Sequence, residues 1–285
     1  MGASIAILGS NGQLGREFRS LLPGDDGVHA LTRADADLAI PGQITALLQK
    51  LKPKLVINCS AYNLVDQCED APESAFAVNA FGVRELALAC REVHAKLVHF
   101  STDYVFGLEE KRQTPYGESD APGPVSSYGL SKLTGEYYVR SLCPDYCIIR
   151  TCGLYGRHGA GGKGTNFVET MLKLAAAGKT IRVVNDQMLT PTSAVDVAEA
   201  TRQLLRSSLN RVCHLTNSGE CSWYEFARAI FELAGVQADL QPTTSTKYGS
   251  KARRPAYSVL RTEHPYLVPT LRPWREALQA YLEAR

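Results

Sequence analysis

Residues 4–22 read SIAILGSNGQLGREFRSLL, and this stretch decides the fold. The run Ser4 to Leu8 is apolar and rich in strand-forming residues, and Gly9 to Gly15 follows it with glycines spaced G-x-x-G-x-x-G. A helix is predicted from Arg16 to Leu22. A strand, a glycine-rich turn and a helix in this order let backbone N–H groups approach a pyrophosphate. The stretch predicts a dinucleotide-binding turn, and a merely structural turn is the alternative.

Strands and helices continue to alternate beyond this turn. Strands are predicted at 28–31, 55–58, 96–100, 146–151 and 181–184, with another ending at 214–216. Helices are predicted at 44–51, 71–94, 166–177, 195–205, 223–234 and 274–282, and one more opens near Ser126 and Ser127. Unbroken apolar strands between helices are typical of a parallel sheet covered on both faces. The sequence therefore predicts an α/β fold of the Rossmann-like, doubly wound type.

The pattern of residues along the chain changes after Arg150. A glycine-dense stretch at 157–165 is either a plain flexible loop or a lid over substrate. We expect a dinucleotide-binding Rossmann domain at 1–152, to which part of 185–215 returns. Residues 153–285 are then mainly a smaller, non-contiguous C-terminal lobe that binds substrate.

Composition excludes several classes of function. A net charge of +2 gives no electrostatic reason to bind nucleic acid or an anionic membrane, and no apolar run reaches the roughly eighteen residues of a membrane span. The eight cysteines form no C-x-x-C pair, which suits reduced cysteines in a reducing compartment. The start of the chain lacks the basic region of a signal peptide. We expect a cytoplasmic protein, and the six histidines, with no i, i+4 pair, give no reason to assign a metal.

Two segments carry the candidate chemistry: VHFSTDYVF at 98–106 and SSYGLSKLTGEYY at 126–138. Tyr128 and Lys132 are four residues apart on a predicted helix and so share one face. The lysine ammonium favours the phenolate, so we expect it to lower the pKa of Tyr128 from about 10. With the hydroxyl of Thr102 on the same substrate oxygen, the group forms a general acid for a carbonyl that receives a hydride. An exposed helical pair is the alternative for an isolated match.

The end of the second predicted strand bears on cofactor choice. An NAD-selective site often carries an acidic residue there for the ribose 2′-hydroxyl, but this chain has Thr32 and Arg33. An arginine can instead meet a 2′-phosphate, so the sequence favours NADPH, with NADH as the alternative. Asp35 and Asp37 lie close to Arg33 in the sequence. Which of these residues takes the position beside the ribose 2′ group therefore stays open. We expect Asp37 and Leu38 near the adenine, and a solvated loop is the other interpretation.

Nine segments stand in order along the chain: GSNGQLG, NCSAYNLVDQCED, AVNAFG, STDYVFG, YGLSK, RTCGLYG, NFVETMLKLA, DQMLTPT and RRPAYSVL. Together they resemble the dTDP-4-dehydrorhamnose reductase family of the extended short-chain dehydrogenases/reductases, from Ile5 to the final helix. The resemblance implies a Rossmann domain, NAD(P)H as hydride donor and reduction of the 4-keto group of a nucleotide-linked deoxysugar. It places the chain in dTDP-rhamnose biosynthesis, with a small-molecule nucleotide-sugar substrate and a homodimer as the candidate assembly.

Carried over position by position, the resemblance makes Thr102, Tyr128 and Lys132 the catalytic set. It implies that the cofactor is bound by Gly9, Asn11, Gly12, Gln13, Leu14, Arg33, Ala61, Tyr62, Asn79, Tyr128 and Lys132, with Asp37 and Leu38 beside them. It implies that the substrate is bound by Val65, Asp66, Thr102, Asp103, Tyr104, Asn166 and Arg254. Asn79 has another interpretation as a buried polar brace or a helix cap. The chain departs from the family at Gly153, where a Trp that would flank the sugar is common, so the identity of the sugar stays open.

Two other functions stay open. The first is an NAD-dependent nucleotide-sugar epimerase or dehydratase. A 4,6-dehydratase needs an additional acid and base, and its relatives place Asp-Glu after the threonine, whereas Asp103 is followed here by Tyr104. The second is a non-catalytic NADP-binding regulatory subunit. The presence of Thr102, Tyr128 and Lys132 argues against this second function. Some relatives use Mg²⁺ at a dimer contact, but this sequence assigns none.

Overall fold

The computed structural model describes residues 4–22, 27–158, 164–205 and 210–285. Its strands are β1 Ile5–Leu8, β2 Val28–Leu31, β3 Leu55–Asn58, β4 Lys96–Thr102, β5 Tyr146–Thr151, β6 Leu154–Tyr155, β7 Ile181–Val184, β8 Met188–Leu189, β9 Thr192–Ser193, β10 Arg211–His214, β11 Cys221–Ser222 and β12 Leu240–Thr243. Its α-helices are α1 Gln13–Leu21, α2 Gln43–Leu51, α3 Gln67–Asp70, α4 Pro72–Phe76, α5 Val83–Glu92, α6 Ser127–Leu142, α7 Phe167–Ala176, α8 Ala194–Leu204, α9 Trp223–Ala234, α10 Ser245–Tyr248 and α11 Trp274–Glu283. A π-helix spans Ala77–Gly82 and a 3₁₀ helix spans Asp103–Val105.

Six strands form one parallel sheet in the order β10-β5-β4-β3-β1-β2. From β1 the chain moves to β2 on one side, and from β3 onward it builds the sheet on the other side. The strand order therefore reverses between β1 and β3. Open α/β sheets bind their ligands at such a reversal, beyond the carboxyl ends of the strands. The fold places the end of β1 and the residues after β3 at that point.

Neighbouring residues of the central strands pack on opposite faces of the sheet. Ala6 and Leu97 belong to one buried cluster, with side chains of α2, α5 and α6, whereas Ile7 and Val98 belong to a second, with side chains of α1 and α8. This follows from the alternation of side chains along a strand. The doubly wound α/β class predicted from the sequence is confirmed.

A third buried cluster joins α7, α9 and α11 to β7, and it includes Val168, Phe226 and Leu278. By contrast, α8 and β10 pack with the central sheet. The division into domains at residue 152 stays a prediction. The predicted lid at 157–165 falls largely on residues 159–163, which lie outside the described part of the chain.

Strands β2, β3 and β5 of the sheet have the predicted bounds, but some other elements differ. Helix α1 begins at Gln13 rather than Arg16, because Gly12 already has the extended backbone of an N-cap, with φ −78° and ψ 174°. The helix predicted at 71–94 is interrupted by the π-helix, and β4 runs two residues further than predicted, to Thr102. A π turn inside an α-helix often marks a functional site. This one contains Asn79.

Candidate active site

The glycine-rich turn after β1 is built by close backbone contacts. Gly9 has φ +69°, and a Cβ at this position would lie 2.9 Å from the backbone nitrogen of Ser60, which follows β3. A Cβ on Gly15 would lie 2.2 Å from the carbonyl oxygen of Gly9. Helix α1 therefore starts against the loop after β3, with its N-terminus at the carboxyl edge of the sheet. Partial positive charge at a helix N-terminus favours an anion there.

Polar atoms without protein partners lie in the same turn. Ser10 Oγ and Gln13 Oε1 are buried and have no hydrogen-bond partner within the described ranges. The N-cap of α1 is Gly12, which has no side chain to accept a hydrogen bond from the first amides of the helix. Buried polar atoms are normally satisfied by protein, water or ligand. The turn therefore fits the pyrophosphate of a dinucleotide cofactor.

The predicted adenosine end of the site follows β2. Arg33 Nε donates to Asp37 Oδ2 at 2.7 Å, and the Arg33 side chain is 83% exposed. Asp37 also accepts a bond from the Ala39 amide, and these contacts hold the pKa of its carboxyl below the usual value despite partial burial. Leu38 is buried in the first cluster, so its side chain serves the core. The Arg33 guanidinium keeps nitrogen donors besides Nε that can meet a phosphate.

The predicted catalytic residues come from two elements. Thr102 ends β4, and Tyr128 lies in the first turn of α6, whose N-cap Ser126 accepts a bond from the Gly129 amide. The Thr102 hydroxyl lies close enough to the Tyr128 hydroxyl to lower the pKa of the phenol in part. The ring of Tyr104 meets the Tyr128 ring edge-on, with 5.9 Å between centroids. The fold thus brings the Thr102 and Tyr128 hydroxyls together at the carboxyl edge of the sheet.

Lys132 does not act on Tyr128 as we expected from the sequence. Its Nζ donates to the carbonyl oxygen of Phe100 at 2.7 Å. Burial raises the pKa of Tyr128 above the ordinary value, although the Thr102 hydroxyl lowers it in part. The prediction that Lys132 lowers the pKa of Tyr128 is therefore wrong in this structure. Burial also lowers the pKa of Lys132 itself to about 8, against the opposing charge of Glu136.

Asn79 braces the loop after β3 against α6. Its Oδ1 accepts from the Tyr62 amide at 2.8 Å, and its Nδ2 donates to the Tyr62 carbonyl oxygen and to Ser131 Oγ. Ser131 Oγ in turn donates to the Tyr128 carbonyl oxygen at 2.8 Å. The polar-brace interpretation describes these contacts, and a role of Asn79 and Tyr62 in holding cofactor stays a prediction.

Three predicted substrate residues gather beside Tyr128. Arg254 Nη2 donates to Asp66 Oδ2 at 2.8 Å, and Arg254 is also hydrogen-bonded to the Tyr104 hydroxyl. The same carboxylate accepts from the Ala252 amide at 3.0 Å. A cation is therefore held next to the tyrosine pair by the segment just before α3, in which Val65 is partly exposed.

Asp103 is a buried carboxyl next to this group. Its Oδ1 accepts from Thr102 Oγ1 at 3.2 Å, and its Oδ2 accepts from Cys152 Sγ at 3.1 Å. Burial raises the pKa of Asp103, and hydrogen bonds from Ser258, Cys152 and Thr102 oppose that rise. Each carboxylate oxygen of Asp103 thus accepts a bond from the protein and the Thr102 bond orients that hydroxyl, whereas a contact of Asp103 with sugar stays a prediction.

The remaining predicted residues have different settings. Asn166 caps α7 through the Glu169 amide, and its Nδ2 donates to the carbonyl oxygen of Gly156 at 2.7 Å. Asn11 and Ala61 are exposed, while Leu14 packs under the sheet. Gly153 has φ +53°, and a Cβ there would lie 2.9 Å from Leu189 Cδ1. The structure therefore gives Asn166 a helix-capping role, and any contact of it with substrate stays a prediction.

Two acidic residues at the site were not predicted from the sequence. Glu69 in α3 accepts from the amide and the hydroxyl of Ser127, one residue before Tyr128. Glu136 lies one helical turn after Lys132 and pairs with buried Arg150. The four-residue spacing of Lys132 and Glu136 was a readable signal. The bond from Ser127 to Glu69 joins parts of the chain far apart in sequence, and no local pattern announces it.

The described ranges contain neither a metal-binding cluster of side chains nor a membrane-spanning helix. Across 4–22, 27–158, 164–205 and 210–285, no three His, Cys, Asp or Glu side chains are grouped so as to hold a metal ion. None of the helices in these ranges is both long enough and apolar enough to cross a bilayer. The assignment of no metal stays a prediction.

Comparison with known proteins gives one consistent family. The family model described as "RmlD substrate binding domain" matches residues 3–285. Spore coat polysaccharide biosynthesis protein SpsK of Bacillus subtilis is 42% identical over 99% of this chain and 97% of its own length. The dTDP-4-dehydrorhamnose reductase of Mycolicibacterium smegmatis is 40% identical over 98% of this chain and 85% of its own. The crystal structure of dTDP-4-dehydrorhamnose reductase from Bacillus anthracis in complex with NADP superimposes with a TM-score of 0.94, at 35% identity, covering 100% of both chains. The resemblance drawn from the motifs is confirmed, and the chain belongs to the RmlD substrate binding domain family.

Proposed function

We propose that this protein is an NADPH-dependent reductase that converts the 4-keto group of a nucleotide-linked deoxysugar, dTDP-4-dehydrorhamnose, to a hydroxyl. The observation that carries the proposal is the placement of the Thr102 and Tyr128 hydroxyls side by side at the carboxyl edge of the sheet. Relatives that match nearly the whole chain are named as this reductase, and one was solved with NADP. The protein would therefore serve dTDP-rhamnose biosynthesis.

The residues that would hold the cofactor follow the fold. The turn from Gly9 to Gly15 would hold the pyrophosphate against the N-terminus of α1, and Arg33 would meet the 2′-phosphate. Asn79 keeps the backbone of Tyr62 fixed beside this path. Bound NADPH would supply the hydride for the ketone carbon.

The protein's own part in the reaction is to place and donate a proton. Tyr128, whose pKa burial holds above the ordinary value, keeps its proton at neutral pH and can give it to the oxygen that gains charge. The Thr102 hydroxyl, on turning its proton from Asp103 Oδ1 to the same oxygen, would stabilise that charge in the transition state. Lys132, whose Nζ donates to the Phe100 carbonyl oxygen, would hold the nicotinamide ribose of the cofactor beside Tyr128.

Purified protein and a panel of 4-keto nucleotide sugars carrying dTDP or UDP test this function. We expect NADPH absorbance to fall with dTDP-4-dehydrorhamnose, and to fall more slowly with NADH. An enzyme that leaves every ketosugar unreduced would contradict the proposal. Tightly retained NAD⁺ with epimerase or dehydratase activity would replace the proposal with the first alternative. Co-purification with a larger synthetase and no ketosugar reduction would favour a regulatory subunit.

The setting of this activity is also part of the proposal. All eight cysteines are free, which suits the reducing cytoplasm. The nucleotide sugar and NADPH are water-soluble reactants of that compartment. A homodimer stays a prediction that mass measurement in solution can test.

A further inference from the structure

A buried ion pair lies directly beneath the proposed catalytic residues. Glu136 and Arg150 are 1% and 2% exposed, and Arg150 Nη2 donates to Glu136 Oε2 at 2.7 Å. Arg150 Nε adds a bond of 2.9 Å to Glu136 Oε1. Ser101 Oγ donates to the same oxygen at 2.5 Å. The carboxylate therefore binds α6 to both β4 and β5.

The pair is connected to both sides of the catalytic group. Glu136 lies four residues after Lys132 on α6, and Lys132 Nζ bonds the carbonyl oxygen of Phe100, the residue before Ser101. Ser101 is paired in register with Arg150, and Thr102 follows it on β4. One carboxylate, on the helix that carries Tyr128 and Lys132, thus fixes the strand end that carries Thr102.

The network also reaches the other edge of the sheet. Arg150 Nη1 lies 3.3 Å from His214 Nε2 on β10, and its guanidinium lies 5.2 Å from the Phe106 ring centre. His214 Nδ1 is 3.0 Å from the carbonyl oxygens of Tyr116 and Arg261, so Nδ1 carries the proton and Nε2 accepts from Arg150. Arg150 is thereby held from two sides and cannot turn away from Glu136 without losing buried bonds.

We propose that Glu136, anchored by Arg150 and Ser101, is a positioning residue that keeps Lys132 charged and aligned with Thr102 and Tyr128. The inference rests on the proposed function and deepens it. A buried ion pair contributes little stability compared with apolar side chains of similar size, so stability alone does not account for this one. The position of the carboxylate one turn below the catalytic lysine gives it a second role.

The charges that surround Lys132 decide the sign of the effect. Glu136 on the same helix favours the ammonium, whereas burial disfavours it. The Cys59 thiol, after β3, is the other titratable group that raises the pKa of Lys132, and neutral His99 on β4 lies close to the lysine. Cys59 keeps its proton because burial raises the pKa of the thiol, so its charge does not replace that of Glu136. Removal of the Glu136 charge should therefore make the lysine lose its proton at lower pH.

The test uses protein labelled with ¹³C at lysine Cε, in wild type and in Glu136→Gln. The Lys132 signal is assigned by its loss in Lys132→Arg. We expect its titration midpoint in Glu136→Gln to fall by about one unit or more from the wild-type pKa of about 8. The alkaline limb of kcat/KM for ketosugar reduction should move the same way, with about a fivefold loss at pH 8.

Two further variants keep the result decisive. Glu136→Leu with Arg150→Met removes both charges and should fold, because an apolar pair replaces the ion pair. In this double variant, the titration midpoint of Lys132 and the alkaline limb of kcat/KM should stay at the lowered pH seen in Glu136→Gln. If Glu136 had a purely structural role, the double variant would show the wild-type pH profile. Asp196→Asn breaks the Asp196–Arg272 ion pair on α8 and should leave the Lys132 titration unchanged.

An unchanged Lys132 titration in Glu136→Gln would overturn the inference. Restoration of the wild-type pH profile in the double variant would also overturn it. If wild-type protein reduces no ketosugar, the proposed function fails. The lysine titration then still decides whether Glu136 controls the charge of Lys132, so the two failures are distinguishable.

Discussion

At the scale of the residue, Tyr128 would carry the chemical step of the proposed reaction. Its hydroxyl lies beside that of Thr102, and its raised pKa would keep the proton in place until the oxygen of the substrate gains charge. Tyr128→Phe removes only that hydroxyl, so we expect kcat to fall by about 10²- to 10⁴-fold. NADPH oxidation gives kcat, and nicotinamide fluorescence gives the dissociation constant of NADPH. That dissociation constant should be the same in Tyr128→Phe as in wild type. Tyr137→Phe, on a half-exposed residue of the same helix, is the control, and wild-type turnover in Tyr128→Phe would refute the assignment.

Arg33 is the residue that we propose to select NADPH, at the same scale. Its guanidinium is exposed and paired with Asp37, so its removal costs little stability. If it meets a 2′-phosphate, Arg33→Ala should weaken NADPH binding by roughly tenfold or more and leave NADH binding unchanged. Fluorescence titration with both cofactors measures this, with Arg19→Ala at the end of α1 as the control. Equal losses for NADPH and NADH would show that Arg33 does not read the phosphate.

The sequence predicted the residue types of the site better than their contacts. The spacing of Tyr128 and Lys132 placed both on one helix face, but it could not show that Lys132 Nζ turns to the Phe100 carbonyl oxygen. That partner is 32 residues away and lies on another element. Burial, which raises the pKa of Tyr128, likewise depends on tertiary packing.

The glycine-rich turn is the element that we propose to hold the cofactor. A methyl group at Gly9 would meet the backbone nitrogen of Ser60 at 2.9 Å, in addition to the strain of φ +69°. Gly9→Ala should therefore open the contact between the turn and the loop after β3, and weaken NADPH binding by about tenfold or more. Gly178→Ala is a matched control, since Gly178 has φ +63° and open space around its Cβ position. Calorimetry with NADPH should separate the two variants, and equal affinities would contradict the role of the turn.

Elements were predictable where a local pattern determines them. Strands β2, β3 and β5 have the predicted bounds because short apolar runs end at turn residues. The π-helix at Ala77–Gly82 was not predicted, because its extra residue per turn hardly alters the apolar periodicity of the surrounding helix. Its Asn79 bonds to Tyr62 and Ser131 reach the loop after β3 and α6, which local sequence does not encode.

The buried network through Arg150 and His214 makes stability depend on pH at the scale of the whole molecule. Burial lowers the pKa of His214 to about 4, below its usual 6.5. Between pH 6.5 and 4, His214 binds a proton in the unfolded chain but stays neutral in the folded chain. The free energy of unfolding therefore falls as pH drops from 6.5 toward 4. The full loss is roughly 3 kcal/mol. Below pH 4 both states bind the proton, and this contribution changes no further.

Urea unfolding at pH 7 and pH 4 tests the contribution of His214. In His214→Gln, the difference in unfolding free energy between the two pH values should shrink by roughly 3 kcal/mol. His29→Gln, on a partly exposed residue of the edge strand β2, should keep the wild-type difference. The comparison of differences removes the cost of the substitution itself. An unchanged difference in His214→Gln would show that the histidine is not held neutral by burial.

The central claim is hydride transfer to a ketone beside Tyr128, and deuterium transfer measures it most directly. NADPH deuterated at the nicotinamide C4 is incubated with the protein and dTDP-4-dehydrorhamnose, and the product is examined by NMR. We expect deuterium on C4 of the product sugar, with transfer at least about a hundredfold slower in Tyr128→Phe. A product without deuterium at C4, or transfer as fast in Tyr128→Phe as in wild type, would contradict it.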